Sequence, residues 1–110
     1  MSETIHELSV AERGDWRVAR IGGDVDQSNV AEIEAAIRES ASAQPLIVDL
    51  SDAQYLDSAG VAMLESLRQR GDLALVLPSR SLLRRVLHIT ALDQLVPTFE
   101  SVDECPLHLD

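Results

Sequence analysis

Apolar positions recur along the chain with two different periods. Residues 5–11 (Ile-His-Glu-Leu-Ser-Val-Ala) partly alternate and predict a strand. Glu12, Arg13, Gly14 and Asp15 supply turn chemistry, and residues 16–21 predict a second strand. The two are expected to pair as a hairpin, ended by Gly22 and Gly23. Residues 29–43 predict a helix. Asn29 and Glu32 have capping-box spacing, and Val30, Ile33 and Ile37 share one face. Pro45 closes the following loop. Residues 46–50 (Leu-Ile-Val-Asp-Leu) form a nearly continuous apolar run, the pattern of a strand buried on both faces.

A polar loop then leads into a second helix over residues 58–70, with Val61, Leu64 and Leu67 as its stripe and Gly71 just past its end. Residues 73–77 are another buried-strand run, stopped by Pro78. Leu82, Leu83, Val86 and Leu87 pattern a third helix. Residues 96–99 predict a last short strand, which Pro97 demotes to an edge. Ser101 and Glu104 have the spacing of a capping box for a short terminal helix limited by Pro106.

The order ββαβαβαβ(α) implies parallel strands joined by right-handed crossovers. The fold class is therefore α/β. A small, mostly parallel sheet of four to five strands is expected, with an N-terminal antiparallel hairpin strand and crossover helices. Ligand and partner surfaces in such sheets tend to lie beyond the carboxyl ends of the strands. The loops at residues 22–28 and 51–58 both occupy such ends and should be neighbours.

Composition narrows the function. The chain has 110 residues, of which 33 are Leu, Ile, Val or Phe, too apolar for a disordered chain. One domain over residues 1–110 is expected. Its formal net charge is −10, which disfavours nucleic acid and anionic membrane surfaces as partners. No apolar run approaches the ~20 residues of a membrane span, and no secretory signal is visible, so a cytoplasmic location is expected. Cys105 is the single cysteine, which excludes an internal disulfide and a cysteine-based zinc cluster. There is no Lys and no phosphate-binding loop motif, so no cofactor is expected and any ATP would belong to a partner. A monomer is the simplest expectation.

The informative stretch is residues 55–60, Tyr-Leu-Asp-Ser-Ala-Gly, at a strand-to-helix junction. Asp57 or Ser58 is placed to cap the helix. Gly60 would let another surface approach the first turn. Three readings of Ser58 are open: a helix cap, a nucleophile, or a phosphoacceptor at the positive end of a helix dipole. The hydrolase elbow needs Gly two residues before its serine, where this chain has Leu56, and a general base among His6, His88 and His108. Arg80, Arg84 and Arg85 form a small basic cluster, read as a solvated face or as donors to intramolecular ion pairs.

Several features together resemble the STAS domain family, and more narrowly its single-domain bacterial anti-sigma factor antagonists. These are the element order, Gly-Asp-Val-Asp at residues 23–26, Leu-Ile-Val-Asp-Leu at 46–50, and Tyr-Leu-Asp-Ser-Ala-Gly-Val-Ala-Met-Leu at 55–64. The resemblance runs from about residue 5 to residue 105. It implies a STAS-type fold and a regulator of transcription that is not an enzyme. The unphosphorylated protein would bind a cognate anti-sigma factor, a serine kinase, and free the sigma factor. Phosphorylation at Ser58 would switch it off, and a serine phosphatase would reset it. By the same match Asp57, Ala59 and Gly60 would line the partner contact with Ser58, and Asp24 and Asp26 would lie beside it; Ala62, with Ala59 and Gly60, keeps the start of the helix flat for close docking. Ala59 stands where many members have Ser, and Asp24-Val25 where many have Glu-Leu. The family also holds members that are never phosphorylated, so a scaffold subunit of a transport or signalling complex is the alternative.

Overall fold

The computed structural model describes residues 6–41 and 44–106. The first residue of the expected hairpin, the last two of the expected first helix, and His108 lie outside them. Strands β1 (His6–Arg13) and β2 (Trp16–Val25) form the antiparallel hairpin, turning at Gly14, whose φ is 59°. Helix α1 (Val30–Ala41) leads to β3 (Leu46–Asp49), β4 (Ala53–Leu56) and helix α2 (Ser58–Arg70). Then follow β5 (Leu73–Val76), α3 (Leu83–Ile89), α4 (Leu92–Leu95), β6 (Thr98–Phe99) and a 3-10 turn, Val102–Glu104.

The described sheet has six strands, ordered β1-β2-β3-β5-β6, with β4 also on β2. Every pairing except β1 with β2 is parallel. The sixth strand is β4, which lies in the stretch read as polar loop. Its burial runs in-out-out-in, so period-2 alternation could not reveal it. It exists because β2 outruns β3: residues 17–20 of β2 pair with β3, and Gly23 to Val25 pair with β4. The register shifts between Gly23 and Asp24, and Gly23 takes a φ of 83° that only glycine adopts readily.

Alternation along β3 and β5 sends side chains to opposite faces. Leu46, Val48, Leu73 and Leu75 join Ile33 and Ile37 of α1, Met63, Leu64 and Leu67 of α2, and Leu83 and Leu87 of α3 in the larger core cluster. Ile47, Ala74 and Val76 point the other way and bury Trp16 and Cys105. One smaller expectation changes, and one short helix is added. Ser101 makes no side-chain cap bond; Glu104 instead accepts from the Glu100 N–H at 3.0 Å. The short helix α4, outside the predicted elements, is set off from α3 by Ala91, whose φ is 62°.

Candidate functional site

β2 and β4 run parallel, so their carboxyl ends meet at one end of the sheet. Asp24 pairs with Tyr55 and Val25 with Leu56, which brings residues 22–28 beside residues 51–58. The Asp57 N–H donates to the Val25 carbonyl at 3.2 Å. The cap of α2 is Asp57, not Ser58. Its Oδ1 accepts from the Gly60 N–H at 2.9 Å, and its Oδ2 accepts from the Gln27 N–H at 3.1 Å. One carboxylate therefore ends the helix and ties down the neighbouring loop.

Ser58 is the first residue of α2 and is exposed. None of the hydrogen bonds within the described residues engages its hydroxyl. Ala62 is exposed one turn further along and Ala59 is half-buried, so two positions beside the serine carry only a methyl group. Tyr55, 51% exposed, stands on the preceding strand.

Gly60 has a different role from the one its sequence position implies. It is buried, and a Cβ there would lie 2.4 Å from Leu56 Cδ1 and 3.1 Å from the Val25 carbonyl. The close approach it permits is to its own chain. It seats α2 on β2 and β4.

The two loop aspartates also differ. Asp24 is exposed. Asp26 is half-buried, and its Oδ1 accepts from the Ser28 N–H at 2.9 Å and the Ser28 hydroxyl at 2.5 Å. Asn29, only 1% exposed, holds the loop from within. Its Oδ1 accepts from the Asp26 N–H at 3.0 Å, and its Nδ2 donates to the Asp24 carbonyl at 2.7 Å. The side chain expected to cap α1 therefore turns back into the loop that carries both aspartates. Sequence spacing identified Asn29 but not this bond pair, and nothing in the sequence singled out Gln27, which acts through its backbone.

Elsewhere several basic side chains have partners. Arg84 donates through Nε and Nη2 to the Leu77 carbonyl, at 3.0 and 2.6 Å, closing the end of β5. Arg20 pairs with the buried Asp49 at 3.2 Å. His88 Nδ1 lies 3.3 Å from Asp93. Among the described residues no group of three or more His, Cys, Asp or Glu could hold a metal ion. No helix among them is long and apolar enough to cross a membrane.

A small α/β domain with an exposed serine opening a helix, the helix capped by an aspartate beside an acidic loop, defines a class of presented-serine module. The chain belongs to the STAS domain family, whose profile matches residues 7–105. It is 28% identical over 102 residues to the anti-sigma-F factor antagonist RsfB of Mycobacterium tuberculosis, covering 88% of this chain and 84% of the relative. An anti-sigma factor antagonist from Mycobacterium paratuberculosis superposes with a TM-score of 0.82 at 24% identity, over 94% of this chain and 92% of the other. The Bacillus cell fate determinant SpoIIAA in its phosphorylated form superposes at 0.62 and 23% identity, over 91% and 95%.

Proposed function

We propose that this chain is an anti-sigma factor antagonist, a regulatory binding protein and not a catalyst. In its unphosphorylated form it binds an anti-sigma factor with serine kinase activity and so frees the sigma factor. Ser58 is the phosphoacceptor, and a serine phosphatase restores the binding form. Asp24, Asp57, Ala59 and Ala62 surround it on the docking face, with Asp26 and Gly60 acting from within. The observation that carries this reading is the exposed Ser58 hydroxyl beside a cap position already filled by Asp57. It is supported by relatives named as anti-sigma factor antagonists and by a phosphorylated neighbour of the same fold.

The cap explains how such a switch acts without refolding. A phosphate adds about −1.5 to −2 charge at pH 7. The helix dipole favours it by about 0.3–2 kcal/mol, but the Asp57 carboxylate is next to it in sequence and already accepts from Gly60 N–H. Two unit charges ~5 Å apart repel by about 3 kcal/mol at an effective dielectric near 20, and by less at an exposed site. The free domain therefore gains little either way. In a complex the same charge is desolvated against acidic neighbours and the partner's nucleotide, and a loss of about 3 kcal/mol weakens binding roughly a hundredfold.

The test is intact and peptide mass spectrometry of the protein from its native cells, with and without stress, beside a Ser58→Ala control. A phosphate mapped to Ser58 and absent from the control is the expected result. No phosphate under any condition overturns the switch and favours the scaffold subunit.

A further inference from the structure

The two most exposed large apolar side chains among the described residues both belong to α3. Leu82, at its N-cap, is 87% exposed and Ile89, its last residue, 74%. Leu82 has helical backbone angles, φ −64° and ψ −21°, so it extends the helix by one position. Seven residues are close to two helical turns, so Leu82 and Ile89 stand in one row about 10 Å long. Arg85 is exposed and lies in that row, three residues after Leu82 and four before Ile89. Leu83 and Leu87 enter the core instead. The row is therefore an apolar face separate from the buried one.

The same segment is basic. Residues 78–91 hold Arg80, Arg84 and Arg85 and no Asp or Glu, in a chain of net charge −10. Seven of the nine arginine side chains have a hydrogen-bond or ion-pair partner, Arg84 among them. Arg80 and Arg85 are exposed and have none among the described residues. The two unpaired arginines thus share one short segment with the two most exposed large apolar side chains.

Charge selects the occupant. A second copy docking through its own α3 would bring Arg85 toward Arg85, a like-charge contact. An anionic lipid surface would extend past this segment, beneath the rest of an acidic molecule. A single helix covers only the segment itself, and charges more than about 8 Å away are largely screened from it. We propose that this face of α3 binds an acidic amphipathic helix of a partner protein. The partner's apolar stripe covers Leu82 and Ile89, and its carboxylates pair with Arg80 and Arg85. The proposal stands on α3 and does not rest on the role proposed for Ser58.

Three probes are titrated into the ¹⁵N-labelled protein. One is a helical peptide of about 18 residues with a Leu stripe and Glu on its other face. The others are its twin with Lys in place of Glu, and phosphatidylglycerol vesicles. The Glu peptide is expected to shift the amides of residues 80–89 with saturation, and less as salt rises. The Lys twin should bind about tenfold more weakly or worse. Arg80→Glu combined with Arg85→Glu should weaken the Glu peptide about tenfold or more, and Leu82→Ser combined with Ile89→Ser should abolish its binding. All four positions are exposed, so the melting temperature of each double variant should stay close to that of the wild type, which separates lost binding from a lost fold. Absent or unsaturable shifts, equal binding of the Lys twin, or full binding by either double variant overturns the proposal. So does a stronger response to the vesicles, which assigns the face to lipid. Concentration-dependent shifts of the same amides without any probe assign it to a second copy and overturn the proposal too.

Discussion

The Asp57 carboxylate accepts the backbone N–H of Gln27 at 3.1 Å while its other oxygen caps α2 at Gly60. These two bonds join the loop after β2 to the helix that presents Ser58. Asp57→Ala breaks both and should cost about 1–3 kcal/mol. Asp57→Asn retains one oxygen for Gly60 but turns an NH₂ toward the Gln27 N–H, so about half of that loss should remain. Thermal unfolding checks this, at about 4 °C or more per kcal/mol for a domain of this size. Equal melting temperatures for the Asn variant and the wild type would remove the Gln27 bond from the account.

Gly60 and Leu56 should behave as a coupled pair. In Gly60→Ala the new methyl meets Leu56 Cδ1 at 2.4 Å and the Val25 carbonyl at 3.1 Å. Leu56 can move its far end, but the backbone carbonyl yields little, so a destabilisation of about 1–3 kcal/mol is expected. Leu56→Ala removes the nearer obstacle and leaves a cavity that the methyl introduced by Gly60→Ala partly fills. The double variant should therefore be more stable than the sum of the two single losses predicts, by about 0.5 kcal/mol or more in urea denaturation.

Asn29 controls where Asp24 and Asp26 sit. Asn29→Ala leaves the Asp26 N–H and the Asp24 carbonyl without these side-chain partners in a partly buried setting. A loss of about 2–3 kcal/mol is expected. Hydrogen exchange should rise at Asp26, whose N–H loses its acceptor, and stay unchanged at Leu75 and Leu77 in the core. Ser58→Ala, by contrast, removes an exposed hydroxyl and should shift stability by no more than about 0.5 kcal/mol.

Cys105 supplies a pH signature. Burial pushes its thiol above the ordinary value; Asp49 and Glu104 add to this, and the Arg13 guanidinium opposes it. The folded protein therefore keeps the proton where the unfolded chain has lost it. The resulting stability is fully present below the ordinary thiol pKa of about 8.5 and declines as pH rises toward the folded value. Urea midpoints at increasing pH should fall more steeply for the wild type than for Cys105→Ala. Iodoacetamide should label the native protein far more slowly than the urea-unfolded chain.

Much of this molecule was legible in order along the chain. The runs at residues 46–50 and 73–77 are apolar at successive positions because both faces of β3 and β5 are covered. The breaks at Gly14 and Gly71, the edge position of β6 beside Pro97, and a serine at the opening of α2 follow from local backbone chemistry. That chemistry acts within a few residues, so a linear reading captures it.

Other features needed partners distant in sequence. β4 forms because β2 extends past β3, and its own burial pattern carries no strand period. Asn29 has the spacing of a helix cap, yet its amide serves the loop behind it. Gly60 sits in a motif that suggests an open surface, yet the fold fills that space with Leu56 and the Val25 carbonyl. Arg80, Arg84 and Arg85 form one basic cluster along the chain, yet packing gives only Arg84 a partner, the Leu77 carbonyl. The sequence alone determined the elements, their order and the serine at the helix start. Which polar groups face one another, and which are left without an acceptor, was decided by packing, because a hydrogen bond depends on distance in space and not along the chain.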